Sequence, residues 1–414
     1  MEDLLLLVHR MPYPPNKGDK IRSWHLLKYL AQRYRVHLAT FVDDPDDWQH
    51  VPVLQKICAS AHFLPLPRRK ARLRSLGAVL RNRSLSYDYY RDAGMRRWVD
   101  NAMRQHGIGR IVVFSSPMAQ YADAWPQARR VIDFVDVDSD KWRQYAERKP
   151  WPASLVFGYE ASRLLRYERQ VAASFDASLF VSAPEAELFR RLAPESAARI
   201  GSFSNGVDTA FFAPGDYANP YAPGEKALVF CGAMDYWPNI DAVQWFAAEV
   251  LPALRARDPA VRFVIVGARP SAEVQALAAQ PGISVTGTVP DVRAYVAHAA
   301  LSVAPLRIAR GIQNKVLEAM AMAKAVLVTP QALEGIDAAV GRELLLADDA
   351  AGWISAAAAA LAGPPAYLEA LGAAARARVV ADYSWDARLA PLDHMIETPA
   401  ARVPVAAPAL WTTA

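Results

Sequence analysis

Short apolar runs alternate along this chain with longer stretches in which apolar residues recur every three to four positions. The short runs predict buried strands and the longer ones amphipathic helices. In the first half the predicted strands are Leu4–His9, Val36–Phe41, Ala61–Leu66, Arg110–Phe114, Arg130–Phe134 and Ala177–Val181. Helices are predicted over Lys20–Gln32, Met95–Gln105 and about Ala153–Ser174. A Gly/Pro/Asn-rich stretch, Asn205–Glu225, then reads as a linker. Beyond it a second series begins, with strands at Ala227–Cys231, Val261–Val266, Ile283–Thr286, Leu301–Ala304, Ala325–Thr329 and Glu343–Leu346. This alternation is the pattern of α/β folds, so two doubly wound parallel sheets are expected, facing each other across a cleft. The expected domains are 1–204 and 205–384. An amphipathic segment, about 385–397, would return to the first domain, and an Ala/Pro-rich tail, 398–414, is expected to be disordered.

Length agrees with this division, because 414 residues exceed what one ordinary core holds. No apolar run approaches the ~20 residues that span a bilayer. The opening MEDLLLLVHRMPYPP starts acidic and its apolar run is strand-sized, so no signal peptide is expected and the cytoplasm is the expected compartment. Two cysteines far apart, Cys58 and Cys231, suggest neither a disulfide framework nor a zinc knuckle.

Charge is mild overall, +5, but uneven. Between Phe63 and Tyr87 there is no acid, while Arg68, Arg69, Lys70, Arg72, Arg74, Arg81 and Arg83 all occur. Leu73, Leu76 and Leu80 recur among them at helical spacing. Two readings stand: a solvated helix face, or attachment to an anionic membrane surface. No recognised nucleic-acid-binding module accompanies the charge, so nucleic acid is not an expected partner.

Three stretches carry candidate chemistry. Gly18 lies between a proline-stiffened loop and a helix start, where a backbone can approach an anion or simply turn. VIDFVDVDSDKW places Asp133, Asp136, Asp138 and Asp140 at and beyond a strand end. Such carboxylates suit a polar clamp on sugar hydroxyls, a helix cap or a divalent cation, although the EF-hand glycine is absent. In PLRIARGIQNKVLEAMAM, a predicted helix from Ile312 to Ala323 follows a strand and a loop. Its free N–H groups, with Arg307, Arg310 and Lys315 nearby, offer a seat for a diphosphate. Glu318, one turn beyond Asn314, can accept from a ribose diol or pair with Lys315 at i,i+3. No G-x-G-x-x-G or G-x-x-x-x-G-K-[ST] follows a strand, which argues against a dehydrogenase or a P-loop NTPase.

NKVLEAMAMAKAVLVTP resembles the signature helix of the GT-B retaining glycosyltransferases of family 4. SNGVDTAFFAP (Ser204–Pro214), LVFCGAMDYWPNIDAVQWFAAEVLP, VRFVIVGARP, VTGTVPDVRAYVAHAALSVAPLR and YSWD resemble further pieces of that family, in order. HRMPYPPNKGDKIRSWHLLKYL, DFVDVDSDKW and RGIQNKVLEAMAM together resemble a narrower subgroup, the sugar transferases associated with exosortase (PEP-CTERM) exopolysaccharide systems.

The resemblance implies a GT-B fold: two Rossmann-like doubly wound domains, a central cleft and a C-terminal crossover helix. It implies transfer of a sugar from a nucleotide diphosphate sugar to a hydroxyl, with retention, and without metal or cofactor. Glu318 matches the second glutamate of the family's E-x7-E motif, on the ribose, while Arg310 stands where the first glutamate would be. The segment after the first strand of the second domain, with Gly232, lacks the family's Arg and Lys. Arg307, Arg310 and Lys315 are therefore the candidate phosphate cations, with Gly311 and Asn314 beside them. Gly18 matches the glycine loop, and Val289 and Pro290 the loop against the base. Asp136 stands where relatives often carry a histidine, with Asp138 as its competitor, and with Lys315 these are the candidate catalytic residues. The implied partners are a nucleotide sugar and a glycan or lipid-linked acceptor. The basic segment Arg68, Arg69, Lys70, Arg72 and Arg74 would face an anionic inner-membrane surface, which makes the protein peripheral there. Two alternatives share the architecture: a nucleotide-sugar 2-epimerase and an inactive nucleotide-sugar-binding protein.

Overall fold

The computed structural model describes residues 1–309 and 312–398. Arg310, Gly311 and the tail beyond Thr398, expected to be disordered, lie outside the described residues. The chain divides into two compact units: residues 1–205 with the segment from Arg388 onward, and residues 206–387.

Unit 1 is built on β1 (Asp3–Val8), β2 (Arg35–Val42), β3 (Ser60–Pro65), β4 (Arg110–Phe114), β5 (Arg129–Val135), β6 (Ala177–Phe180) and β7 (Ile200–Ser202). They form one parallel sheet in the order β3-β2-β1-β4-β5-β6-β7. Unit 2 has β8 (Lys226–Cys231), β9 (Val261–Val266), β10 (Ile283–Gly287), β11 (Leu301–Ala304), β12 (Val326–Val328) and β13 (Leu345–Leu346), parallel in the order β10-β9-β8-β11-β12-β13. The doubly wound class expected from the periodicity is therefore the observed one. Central strands covered on both faces must be apolar throughout, and Leu4 to Val8 and Ala227 to Phe230 are essentially inaccessible. In each sheet the winding reverses beside its first strand, between β1 and β4 and between β8 and β11. Ligands of such sheets bind outside the strand ends at that reversal.

Boundaries moved where the pattern was thin. β7 has three residues, too few to show a period, and was not anticipated. The helix expected from Ile312 runs Asn314–Ala321. The helix Trp385–Glu397 accommodates Pro391 and docks its later half on unit 1. There Tyr29 donates to Asp393 (2.7 Å), Tyr34 to Glu397 (3.0 Å) and Arg129 to the Met395 carbonyl (2.8 Å).

Unit 1 also buries matched charges. Arg22, 1% exposed, donates from Nε to Asp133 (2.7 Å) and from Nη1 to Asn205 (2.8 Å). Lys20 pairs with Asp47, both buried.

Candidate functional site

Two groups of polar residues lie at the reversal points, one in each unit. In unit 2, β8 ends at Cys231-Gly232. A Cβ on Gly232 would lie 2.8 Å from the Asn239 amide nitrogen and 3.5 Å from Lys315 Nζ. Gly267, after β9, has φ +152°, and a Cβ there would collide with the Gly232 carbonyl at 1.7 Å. The strand ends thus form a floor that only glycines permit.

Lys315 and Glu318 stand over this floor from the helix Asn314–Ala321, whose other face (Val316, Leu317, Met320) is buried in the core. Lys315 donates to the Asn239 side chain and lies over the Phe230 ring at 4.5 Å from its centroid. Burial pushes the Lys315 ammonium down to about 8, against the pull of Cys231 and Glu318. Burial also pushes the Glu318 carboxyl up to about 7, with Lys315 opposing. The two do not pair within ion-pair distance, and among the described residues the Glu318 carboxylate takes no hydrogen bond. The helix starts at Gln313 without a side-chain cap. A cation, a carboxylate with both oxygens open and uncapped backbone N–H groups converge here, which suits an anion joined to a diol.

The other donor-side expectations fall unevenly. Asn314 is exposed at the first helical position. Val289 and Pro290 form the loop after β10, with Val289 packed against the core. Arg307 is exposed, and one edge of its guanidinium, Nε and Nη2, engages Asp241, with Nε at 3.0 Å. Arg310 and Gly311 lie outside the described residues.

In unit 1 a cavity of about 390 Å³ opens at the ends of β1, β4 and β5. Asp136 and Asp138 both line it. Asp136 is exposed; Asp138, at the start of the helix Asp138–Arg148, has its pKa raised by burial and lies 3.7 Å from Lys141. The other two carboxylates of that run are committed elsewhere: Asp133 to Arg22, and Asp140 to Arg143 and Gln144. Two residues of the lining, Ser115 (φ +75°) and Val135 (φ +72°), adopt the left-handed region, unfavourable by about 1–3 kcal/mol for a non-glycine. Asp133 holds both, accepting from Val135 N (3.1 Å) through its side chain and from Ser115 N (2.8 Å) through its carbonyl.

Sequence reading missed the residues facing these aspartates. His9, which follows β1, stacks on Phe114 and lies 3.6 Å from Asp19 through Nε2. Its Nδ1 is buried without a partner among the described residues. Hydrogen bonding to His9, and then Arg10 at 3.1 Å, holds the Asp19 carboxyl well below the usual range. The available signal was a histidine at a strand end followed by an acid in the next helical turn. Gly18 begins the helix Gly18–Ala31, is exposed, and would meet nothing if given a Cβ, so no contact within the protein demands glycine there.

The basic segment forms the helix Arg68–Leu80. Arg68, Arg69, Lys70 and Arg72 are exposed, with Arg68 3.3 Å from Asp43. Arg74 is a correction: it turns inward and donates to the carbonyls of Asp88 (2.8 Å) and Tyr89, so it does not face outward.

Both cysteines are free, with burial pushing their thiols up to about 12, which leaves them protonated and unreactive. Among the described residues one group of potential metal ligands is close-set: Asp3, His37 and His106. His37 already uses both ring nitrogens there, on Asp3 and Ser60 at 2.7 Å each. No helix among the described residues is long and apolar enough to cross a membrane.

Comparison with known proteins bears on the fold. Residues 225–362 match the family model of the glycosyl transferases group 1. No curated protein matches the chain. Several solved structures share the fold over nearly their whole length. A glycosyltransferase from Rickettsia africae ESF-5 is 13% identical, with a TM-score of 0.62, covering 96% of this chain and 98% of that one. HepE from Anabaena, solved with UDP, is 13% identical, with a TM-score of 0.58 and coverage of 95% and 99%. Sucrose-phosphate synthase from Thermosynechococcus elongatus is 18% identical, with a TM-score of 0.57 and coverage of 95% and 98%. Identities this low speak to the fold, and the two parallel sheets are those of the GT-B architecture. Residues 225–362 thus resemble a glycosyl transferases group 1 domain, and the chain that carries them has the GT-B fold.

Proposed function

We propose that the protein is a retaining, metal-independent glycosyltransferase that moves a sugar from a nucleoside diphosphate sugar to a hydroxyl of a lipid-linked glycan in exopolysaccharide synthesis, at the inner face of the plasma membrane. The observation that carries the donor half is the unpaired Lys315 and Glu318 over the Gly232 floor. Lys315, aimed by Asn239, and the uncapped helix start meet the negative charge of the diphosphate. Glu318 accepts from the ribose hydroxyls. HepE, of the same fold, was solved with UDP and with UDP-glucose, which supports a donor of this class.

In the reaction the bond from the anomeric carbon to the donor phosphate oxygen breaks, and a bond to the acceptor oxygen forms on the same face. The acceptor proton passes to the departing phosphate. Fixed positive charge at the phosphates lowers the barrier because it needs no reorganisation as the leaving group develops charge. The unit 1 cavity, with Asp136, Asp138 and the His9–Asp19 pair, is the acceptor side of this reading. The exposed basic helix supports a peripheral place on an anionic membrane.

Thermal unfolding with UDP, GDP and ADP in turn, followed by turnover with the matching labelled sugar donor, tests the proposal. A ligand at 100 times its Kd stabilises by about 2.7 kcal/mol, and one diphosphate should do so. Stabilisation by none of the three would remove the donor site. An epimerised donor in the absence of acceptor would replace transfer with 2-epimerisation, and binding without turnover of any donor would leave a nucleotide-sugar-binding protein.

A further inference from the structure

We infer that unit 1 carries a separate subsite for the phosphate headgroup of a membrane lipid, seated on Arg83, Arg163 and Arg166 beside the exposed leucines of the helix Arg68–Leu80. The inference deepens the lipid-linked acceptor reading and rests on it.

A second cavity of unit 1, about 560 Å³, lies between the end of that helix and the helix Ala153–Ser174. It shares no lining residue with the cavity that holds His9 and Asp136, so the reading of the sugar-transfer site does not account for it. Four arginines line it against one carboxylate, Asp123. Arg81 is matched by Asp88 at 3.3 Å. Arg83, Arg163 and Arg166 have no carboxylate partner among the described residues. Inside the same lining, Arg163 Nε and the Tyr167 hydroxyl are buried without a hydrogen-bond partner. Buried donors left open are costly unless something accepts from them. Planar guanidinium groups and a phenol hydroxyl suit the three oxygens of a phosphate.

The exposed apolar residues on the two helices that border the cavity indicate which phosphate. Leu80, directly before Arg81, is 93% exposed, and Leu76 and Leu73 continue the same face at 63% and 70%. Leu155 and Val156, at the start of the helix Ala153–Ser174, are also exposed. Tyr159 joins the two sides by donating to the Arg83 carbonyl at 3.0 Å. A soluble phosphate leaves these apolar side chains in water. A lipid phosphate puts its chains against the leucines and its headgroup among the arginines, while Arg69, Lys70 and Arg72 meet the surrounding anionic surface.

The test is flotation of the full-length protein with phosphatidylcholine vesicles carrying either phosphatidic acid, a phosphomonoester, or charge-matched phosphatidylglycerol. Wild type is expected to bind the phosphatidic acid vesicles more tightly. The double variant Arg163→Ala/Arg166→Ala is expected to lose roughly tenfold or more of that binding, as removal of charge-assisted hydrogen bonds implies. Its unfolding midpoint should not fall, and its stabilisation by UDP should not change. Leu76→Ser/Leu80→Ser should weaken binding to both vesicle types. Unaltered phosphatidic acid binding by the arginine variant overturns the inference. So does equal binding of both lipids, which means general electrostatic attachment, and so does inorganic phosphate that competes as well as the vesicle-borne group, which means a soluble anion site. Lipid binding needs no donor, so its failure with UDP stabilisation intact refutes the subsite alone; loss of UDP stabilisation refutes the donor site alone.

Discussion

The two units wind their sheets in the same way, but the charges around Arg22 in one and Lys315 in the other are held in opposite ways. Unit 1 buries Arg22 against Asp133 and Lys20 against Asp47, each cation matched by a carboxylate. Unit 2 holds Lys315 and Glu318 inside, near each other but unpaired, with Lys315 tied only to a neutral amide. A matched pair settles its charge within the fold and sets geometry. An unmatched charge keeps its capacity for a ligand and costs stability until one arrives. Here the matched pair Arg22–Asp133 braces the strained Val135 and Ser115 beside the unit 1 cavity, so its contribution to a site is indirect.

The contrast breaks most visibly at Arg22. Arg22→Ala leaves Asp133 buried and uncompensated and is expected to cost about 3–5 kcal/mol of stability, read by urea unfolding. A loss below about 1 kcal/mol would show that the pair is not structural. Lys315→Ala is expected to act the other way. Turnover with a nucleotide sugar should fall by about 10²–10³-fold, the size seen when a fixed group facing developing charge is removed. Unfolding should be unchanged or shifted towards greater stability, and destabilisation would make Lys315 a structural residue.

Glu318→Gln sharpens the same point with a smaller effect, roughly tenfold weaker nucleoside diphosphate binding by calorimetry, or about 1.4 kcal/mol. The pH dependence follows from the two shifts. The folded Glu318 carboxyl titrates at about 7, above its ordinary 4.5, so its contribution to stability is present at low pH and is lost as pH rises through 7. The folded Lys315 titrates at about 8, below its ordinary 10.5, so the folded state binds fewer protons and stability recovers as pH rises above 8. Unit 2 should be least stable between pH 7 and 8, the window in which Glu318 is ionised and Lys315 protonated. There kcat/KM should peak, and Glu318→Gln should remove the acid side of the stability minimum. The smallest effect belongs to Gly18→Ala. With nothing within 4 Å of the new Cβ, stability should change by no more than about 0.5 kcal/mol. A clear loss of turnover in that variant would mean that a substrate approaches the backbone there.

The local features were legible. Continuous apolar runs such as LLLLV and ALVF fit strands covered on both faces, and their alternation with amphipathic helix-length stretches pointed to two parallel sheets. Lys315 and Glu318 share one helical stretch, so their spacing alone raised the question of a ligand. The residues that orient them were not legible: Asn239 stands 76 positions from Lys315. The four aspartates of VIDFVDVDSDKW looked equivalent, yet Asp133 is the partner of a buried arginine 111 positions away, and only Asp136 and Asp138 reach the cavity. Arg74 and Arg307 looked like free cations until packing brought carbonyls and Asp241 against them.

The sequence by itself determined the periodicities, and with them the two doubly wound sheets, the helix that offers Lys315 and Glu318, and the acid-free run of arginines. The tertiary structure alone decided which charges are matched and which are left open: Asp133 matched, Lys315 and Glu318 open, and three arginines gathered around a cavity beside exposed leucines. The reason is physical. Strand and helix patterns depend on neighbours within a few positions. The electrostatic state of a side chain depends on whatever the fold brings within a few ångströms, and those partners come from distant parts of the chain.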